Sequence, residues 1–319
     1  MILGGTQFIG RNLVEQLQGL NYDITLFNRQ QTQPNLFPDV KKIKGDRETA
    51  DIKYFTDQYW DCIIDFSCFY PDSLEILLNK LKGKAGRYIF ISTLSVYGLD
   101  EDLCRLEIKE NFETLPCNQF ERRDNSMTTY GQRKAECERV LLKKEWLDKI
   151  ILRPSIVYGK YDPTDRFYYW LYKAKKCKRV VLPNNGMDKI TLSYVEDLTN
   201  IIIQSIKIKN HSTIYNATTH QPLSLREIIQ YINRDIYMID INPHKLISIG
   251  LNPGQDIPLW FNSPLMVSNE RLSKDFQLVF KSFNDSIEET ALFFANLNWP
   301  IPKTGLNEIK ENDLIEKCS

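Results

Sequence analysis

Residues 4–10 read GGTQFIG, a glycine-rich turn between a short apolar start (MIL) and an amphipathic stretch, RNLVEQL. Strand, glycine turn and helix in this order open a dinucleotide-binding βαβ unit, in which the helix N-terminus holds the pyrophosphate. Gln7 stands where such a turn carries its middle glycine, and its amide can either bond a phosphate oxygen or point to solvent. We expect the turn to bind a dinucleotide, and its contact residues are Gly4, Thr6, Gln7, Phe8 and Ile9.

Apolar, β-branched segments alternate with helical patterns through the first half of the chain. The predicted strands are ITLF (24–27), VKKIKG (40–45), DCIIDFS (61–67), RYIFIS (87–92) and KIILRP (149–154). Such strands, separated by helices, predict a doubly wound α/β fold with a parallel sheet covered on both faces. Its ligands bind outside the carboxyl ends of the strands.

The second half is less regular, which suggests a second unit. We expect residues 1–160, with return segments near 190–220, to form the nucleotide-binding domain. Residues 161–189 and 221–319 are expected to form a smaller C-terminal α/β substrate domain. The lead of three residues before the turn predicts either an abbreviated first strand or a start that lies further upstream.

Composition excludes several classes of protein. Forty-one basic residues balance forty-one acidic ones, so no overall field attracts nucleic acid or an anionic membrane. No apolar run approaches the ~20 residues of a membrane span. Seven cysteines without a CxxC pair and three scattered histidines give no metal site. We therefore expect a cytoplasmic protein without a metal, with free thiols.

Cofactor choice depends on the end of the second predicted strand. NAD-selective sites usually place an acidic residue there to bond the ribose 2′-hydroxyl. This chain has Asn28-Arg29 instead, and Arg29 can pair with a 2′-phosphate. We predict NADP, with NAD as the alternative. After the third strand, Asp46 and Arg47 are placed to bracket the adenine ring.

The pair Tyr130 and Lys134 in TTYGQRKAE carries the predicted chemistry. Residues four apart share one helix face, and an ammonium beside a phenol favours the phenolate. Such a tyrosine can protonate or deprotonate a carbinol oxygen while hydride moves to or from a nicotinamide. A hydroxyl at the end of the strand RYIFIST can hold the same oxygen. The YxxxK pattern is common by chance, but together with the glycine turn it is specific.

With these motifs, the chain resembles the short-chain dehydrogenase/reductase superfamily in its extended and atypical branch, the NAD-dependent epimerase/dehydratase family. The resemblance spans nearly the whole chain and implies a Rossmann sheet. Besides GGTQFIG, it rests on GDR (45–47), ISTLSVYG (91–98), TTYGQRKAECE (128–138), LRPSIVYG (152–159) and SYVEDL (193–198). GGTQFIG with DPTDRFYYW (162–170) is similar to a subgroup that lacks the middle glycine, which implies that cofactor binding survives Gln7.

The resemblance also implies roles for single residues. Tyr130 is the acid/base, Lys134 holds the nicotinamide ribose, and Thr93 is the active-site hydroxyl. Further cofactor contacts are implied at Phe66, Ser67 and Pro154. Tyr158, in the later VYG strand end, is implied to face the substrate.

Two departures from the family bear on the substrate. Dehydratases of this family have Asp-Glu directly after the active-site threonine, whereas this chain has Leu94-Ser95. Nucleotide-sugar members have a diphosphate-binding arginine near the position of Ile190. A small polar substrate without a nucleotide therefore fits. Arg166 and the aromatic residues after it either form a substrate lip that binds an anion or pack into the smaller domain.

We expect an NAD(P)-dependent oxidoreductase that transfers hydride to or from a carbonyl or alcohol carbon. A sugar epimerase that recycles bound NAD is the first alternative. The others are an RNA-binding protein, since relatives include chloroplast stem-loop RNA-binding proteins, and a redox sensor without turnover. The retained Thr93, Tyr130 and Lys134 and the zero net charge make nucleic acid an unlikely partner, and a homodimer is possible.

Overall fold

A computed structural model describes residues 1–98, 107–261 and 263–318. The strands are β1 (Ile2–Leu3), β2 (Thr25–Asn28), β3 (Lys41–Lys44), β4 (Trp60–Asp65), β5 (Ala85–Ile91), β6 (Asp148–Pro154), β7 (Ile156–Tyr158), β8 (Arg179–Pro183), β9 (Lys189–Ile190), β10 (Leu192–Tyr194), β11 (Ile214–Ala217), β12 (Leu223–Ser224) and β13 (Tyr237–Ile241). The helices are α1 (Phe8–Gln18), α2 (Lys53–Thr56), α3 (Pro71–Lys80), α4 (Tyr130–Leu142), α5 (Arg166–Lys176), α6 (Val195–Lys207), α7 (Leu225–Ile232), α8 (Pro243–Ser248), α9 (Glu270–Phe276), α10 (Phe283–Asn296) and α11 (Glu308–Cys318).

The main sheet has seven strands in the order β11-β6-β5-β4-β1-β2-β3, all parallel to their neighbours. The chain runs outward from β1 to one edge, then returns to build the other, which is the doubly wound order. The five predicted strands are confirmed to within two residues at each end. β1 spans two residues of this sequence, Ile2 and Leu3.

Side chains alternate between the two faces of this sheet, as the period of a strand requires. Ile64, Ile89 and Ile150 point to the face that α1 and α6 cover, where they join Leu13 and Ile202 in one core. Ile63, Phe90 and Ile151 point to the opposite face and pack with residues of α3 and α4. Both faces are thus buried, which explains the continuous apolar sequence of the strands.

The second half adds two-stranded pairs beside the main sheet. β7 pairs with β10 and β8 with β13, both in parallel, while β9 and β12 are antiparallel. Ser224 is the N-cap of α7, and it forms a reciprocal capping box with Glu227. β11 belongs to the main sheet and α6 packs on α1. The division into two domains stays a prediction.

Among the described residues, no helix is long and apolar enough to cross a membrane.

Candidate active site

The carboxyl ends of the seven parallel strands lie at one edge of the main sheet, and most predicted site residues lie there. The amide of Phe66, after β4, donates to Leu3 O at 3.1 Å, and the amide of Gly4 donates to Phe27 O at 3.0 Å. The amide of Ser92, after β5, donates to Leu152 O at 2.7 Å. These backbone bonds hold the ends of β1, β2, β4, β5 and β6 side by side, in the place where a doubly wound fold binds its ligand.

The glycine turn adopts the backbone that a dinucleotide needs. Gly4 and Gly5 have φ angles of 104° and 93°, a region that glycine enters without strain. A Cβ on Gly10 would lie 2.8 Å from the Cα of Gly5, so only glycine lets α1 pack this closely on the turn. α1 begins at Phe8, and the amides of its first turn have no partner inside the helix. The turn and these amides fit a phosphate group.

Gln7 lies at the N-cap of α1, where its side chain caps no amide of the helix. It is exposed, and its Nε2 donates to Thr32 Oγ1 at 3.5 Å. The side chain therefore reaches from the turn to the loop after β2, a third arrangement besides the two alternatives stated above. Its contact with a phosphate stays a prediction.

Asn28 and Arg29 follow each other at the end of β2 but have different surroundings. The amide of Asn28 donates from Nδ2 to Gly4 O at 3.0 Å, and its Oδ1 accepts from the Gln30 amide at 3.0 Å. Asn28 therefore ties the end of β2 to the glycine turn. Arg29 is exposed next to it, where its guanidinium can reach a ligand on the turn.

Arg47 lies at the sheet edge, where it forms an ion pair. Its Nη1 donates to both carboxylate oxygens of Asp65, at 2.7 and 2.8 Å, and the pair is buried. Burial alone would raise the pKa of Asp65. The charge and hydrogen bonds of Arg47 lower this pKa by more than burial raises it, so the carboxylate stays ionised. The ion pair thus ties the segment after β3 to the end of β4, and contact of Arg47 with an adenine stays a prediction.

Some binding capacity remains near this ion pair. Nη2 of Arg47 is buried without a hydrogen-bond partner among the described residues. Ser67 Oγ lies 3.3 Å from Nη1, and a Cβ on Gly4 would lie 3.4 Å from the Cβ of Phe66. Asp46 is half-buried beside them. Nη2 is therefore an N–H donor whose hydrogen-bonding capacity is unused among the described residues.

Tyr130 and Thr93 lie on two elements that touch. Thr93 begins a short 3₁₀ turn, Leu94–Tyr97, and its Oγ1 accepts the Ser95 amide at 3.2 Å. Tyr130 is the first residue of α4. A Cβ on Gly131 would collide with the carbonyl oxygen of Ser95. Glycine at 131 therefore allows α4 to start against the turn, which puts the phenol and the threonine hydroxyl at the same end of the sheet.

Lys134 lies one helical turn below Tyr130 and is 2% exposed. Its Nζ donates to Ile91 O at 2.7 Å and to Cys68 O at 3.1 Å. An ammonium has three protons, so these two bonds leave one. The Nζ also lies 4.0 Å from the centroid of the Phe90 ring, and its contact with a nicotinamide ribose stays a prediction. The lysine is held between the ends of β4 and β5 by two carbonyl groups, and these belong to residues close in sequence to Ser67 and Thr93. Pro154 is buried at the end of β6, the next strand.

Tyr158 and Arg166, predicted to contact substrate, are not brought to this cluster by any contact among the described residues. Tyr158 has no exposed surface, and its hydroxyl lies 2.8 Å from His220 Nε2 and 2.6 Å from Ser286 Oγ. Both hydrogen bonds tie the hydroxyl to core residues, and contact of Tyr158 with a substrate stays a prediction. Arg166 is half-buried, and its Nε donates to Thr164 Oγ1 at 3.3 Å.

The aromatic residues after Arg166 do not form a lip. Phe167, Tyr168, Tyr169 and Trp170 are all at most 3% exposed. Tyr168 stacks on Phe294 with ring centroids 3.6 Å apart. Of the two alternatives for this segment, packing into the core is the one observed.

Sequence reasoning missed a buried acidic residue beneath the site. Glu138 Oε1 accepts from Ser92 Oγ at 2.5 Å, and Arg153 Nη2 donates to Glu138 Oε2 at 2.5 Å. Two signals could have found it: Glu138 continues the four-residue spacing of Tyr130 and Lys134, and Arg153 is a charge in an otherwise apolar strand end.

A cavity of about 490 Å³ opens elsewhere, where α1 and α6 end, and is lined by Leu20, Tyr22, Ile203 and Phe276 among others. None of the predicted site residues lines it, so the chemistry stays with the carboxyl edge. In the described part of the chain, no group of three or more His, Cys, Asp or Glu side chains is arranged so that it could hold a metal ion.

Comparison with known proteins agrees with this geometry. The model of the NAD dependent epimerase/dehydratase family matches residues 1–218. Among curated proteins, the chain is similar to the chloroplast stem-loop binding protein of 41 kDa b of Arabidopsis thaliana, with 24% identity over 220 residues. That match covers 64% of this chain and 53% of the relative, so the chain spans about half the relative's length in the match.

Solved structures show the same fold at low identity. The UDP-glucuronic acid 4-epimerase of Bacillus cereus, in complex with NAD, superposes with a TM-score of 0.70 at 16% identity, covering 94% of this chain and 99% of that one. The UDP-N-acetylglucosamine 4-epimerase of Methanobrevibacter ruminantium gives a TM-score of 0.72 at 18% identity, covering 93% and 97%.

Proposed function

We propose that this chain, which belongs to the NAD-dependent epimerase/dehydratase family, is an oxidoreductase that moves hydride between a nicotinamide dinucleotide and a carbonyl or alcohol carbon of a small polar substrate. The observation that carries the proposal is the junction of α4 with the Thr93 turn. There the helix start, at Gly131, lies against the carbonyl oxygen of Ser95 in the Thr93 turn, and Lys134 is anchored to Ile91 O. This contact supports a site in which Tyr130 and Thr93 act on the same substrate oxygen.

Each of these three side chains has a chemical role in the proposal. Tyr130 Oη gives a proton to the carbonyl oxygen during reduction and takes it back during oxidation. Thr93 Oγ1 donates a hydrogen bond to the same oxygen and so fixes its position. Lys134 keeps its third proton for the ribose and its charge near the phenol. A bound nicotinamide dinucleotide supplies or accepts the hydride.

The cofactor would lie along the carboxyl edge of the sheet. The glycine turn and the first amides of α1 would hold the pyrophosphate, and Phe66 and Ser67 would contact the adenosine half. Arg29 would pair with a 2′-phosphate, for which its exposed position and the neutral Asn28 leave room. We therefore propose NADP before NAD.

The substrate is proposed to lack a nucleotide. Where nucleotide-sugar enzymes would need an arginine, this chain has Ile190, a buried residue of β9 that pairs with β12. The preceding residue, Lys189, has its Nζ 3.9 Å from the carboxylate of Glu227. Leu94, directly after Thr93, is buried and apolar, so it supplies no acid or base for eliminating water. Epimerisation with retained cofactor uses the same three residues and stays the alternative within this chemistry.

RNA binding is a second candidate, because the curated relative is described as a stem-loop binding protein. Stacking of bases needs accessible aromatic rings, whereas the aromatic run of α5 is buried. That observation ranks RNA binding below hydride transfer. A redox sensor without turnover ranks lower still, since it needs no acid/base. The homodimer and the cytoplasmic location stay predictions.

The test is to identify any nucleotide released when the freshly purified protein is denatured, and then to titrate the protein with NADPH, NADH and a stem-loop RNA. Turnover is followed as loss of nicotinamide absorbance with a panel of small ketones, aldehydes and free sugars. Stoichiometric bound NAD favours the epimerase, and an empty protein that binds and oxidises NADPH supports the reductase. Binding of RNA with no affinity for either dinucleotide would refute hydride transfer.

A further inference from the structure

We propose that Glu138, together with Arg153, is a positioning group that sets the distance between the tyrosine-bearing helix and the two strand ends facing it. The inference rests on the proposed function and concerns residues that touch neither substrate nor cofactor. Glu138 and Arg153 are each 2% exposed, and they form an ion pair with Nη2–Oε2 at 2.5 Å and Nε–Oε1 at 3.0 Å.

The location of the pair is the first argument. Glu138 is four residues after Lys134 and eight after Tyr130, so the three lie along one stripe of α4. The partners of Glu138 are the immediate neighbours of predicted site residues. Ser92 precedes Thr93 at the end of β5, and Arg153 precedes Pro154 at the end of β6. One carboxylate thus connects the helix to both strand ends.

The extent of the network is the second argument. Arg153 Nη1 donates to Tyr97 Oη at 2.7 Å, and Tyr97 Oη donates to Asn216 Oδ1 at 2.7 Å. Tyr97 closes the turn that begins with Thr93, and Asn216 lies in β11. The turn that carries Thr93 is therefore fixed at both ends by the same buried network.

Energetics supply the third argument. A buried ion pair is weak evidence for stability, because removing two charges from water offsets most of their attraction. A pair of apolar side chains of similar size would hold the fold about as well. Apolar packing does not fix the direction and distance of Ser92 and Arg153 relative to α4. Hydrogen bonds from both residues to the single carboxylate of Glu138 do fix them.

The molecule contains a matched control. Lys173 of α5 and Glu311 of α11 form a second buried ion pair, with Nζ–Oε2 at 2.6 Å, and Glu311 Oε1 also accepts the Val181 amide at 3.2 Å. This pair resembles the first in burial and length, and its carboxylate likewise accepts one further hydrogen bond, while Lys173 makes fewer hydrogen bonds than Arg153. No predicted site residue is adjacent to it in sequence.

The experiment compares the double variants Glu138→Leu/Arg153→Met and Lys173→Met/Glu311→Leu in the full chain. We expect both to unfold at similar temperatures and to bind NADPH within about threefold of the parent. Turnover should fall about tenfold or more only in the first, because small misplacements of reacting groups are costly. Amide hydrogen exchange in residues 91–98 should rise about tenfold in the same variant and stay unchanged in the control.

Equal turnover and equal exchange in the two double variants would overturn the inference. The hydrogen-exchange measurement needs no substrate. It therefore tests the positioning role of Glu138 even if the panel of ketones, aldehydes and sugars contains no substrate of the enzyme. The single variant Glu138→Gln, which keeps an acceptor for Ser92, should retain more turnover than the double variant if positioning is its role. Activity that survives Tyr130→Phe would instead refute the proposed function and leave the exchange result standing.

Discussion

The starts of α4 and α5 carry similar side chains, a tyrosine with basic residues nearby, but they lie in different surroundings. Tyr130 is half-buried at the carboxyl edge of the sheet, whereas Tyr168 is 2% exposed with its hydroxyl donating to Pro300 O at 2.6 Å. α4 starts at a turn between strand ends, and α5 starts beneath α10 and the segment that follows it. Chemistry therefore follows from the position of a side chain in the topology, and aromatic composition alone does not indicate it.

The largest effect should come from removing one hydroxyl from each helix. Tyr130→Phe should lower turnover by about 10²- to 10⁴-fold, the range of general acid–base catalysis, with NADPH affinity nearly unchanged. Tyr168→Phe removes a buried hydrogen bond and should lower the free energy of unfolding by about 1–2 kcal/mol while the folded protein keeps its turnover. Steady-state kinetics and urea unfolding of both variants check this. Comparable turnover losses would remove the distinction between the helices.

A larger truncation in α5 should act on stability alone. Trp170 is fully buried, and its Nε1 donates to Pro258 O at 2.8 Å, so Trp170→Ala should cost about 3–5 kcal/mol. Met127, exposed near Tyr130 in sequence, is the control, and Met127→Ala should cost less than about 0.5 kcal/mol. The measurement is the free energy of unfolding. A small cost for Trp170→Ala would mean that α5 is less tightly packed than its contacts indicate.

The contact between α4 and the Thr93 turn can be tested by adding one methyl group. Gly131→Ala would push Cβ against Ser95 O and shift the start of α4, so turnover should fall about ten- to a hundredfold. Gly19, with φ of −77° and its nearest neighbour 3.5 Å from a built Cβ, accepts alanine without strain. The turnover of Gly19→Ala should therefore match that of the parent. If the turnover of Gly131→Ala also matched the parent, the close approach of α4 to the turn would be dispensable.

The smallest predicted effect concerns cofactor choice. Arg29→Ala should weaken NADPH binding about three- to tenfold, consistent with the loss of one exposed charge-assisted contact, and leave NADH binding within twofold. Lys41→Ala, exposed at the opposite end of a neighbouring strand, is the control for a general change in charge. Fluorescence titrations at two salt concentrations measure both affinities. Equal losses for the two cofactors would argue against a 2′-phosphate contact.

The sheet was predictable because its signals are local. Strands and helices follow from periodicity, and the junction of Tyr130 with Thr93 follows once strand ends are known to share an edge. The surroundings of Tyr158 and the packing of α5 were not predictable, since each depends on a partner far along the chain. Tyr158 bonds Ser286, 128 residues away, and Tyr168 bonds a carbonyl 132 residues away. No pattern within a window of sequence encodes such pairs.

The position of β11 has a consequence for synthesis of the chain. β6 ends at Pro154, and its partner strand β11 begins 60 residues later, at Ile214. A ribosome that adds about 5–20 residues per second leaves β6 without this neighbour for roughly 3–12 s. During that interval its apolar residues form a free sheet edge that invites aggregation, and Asn216 has not yet arrived to bond Tyr97. We expect the nascent chain to depend on a chaperone in this window.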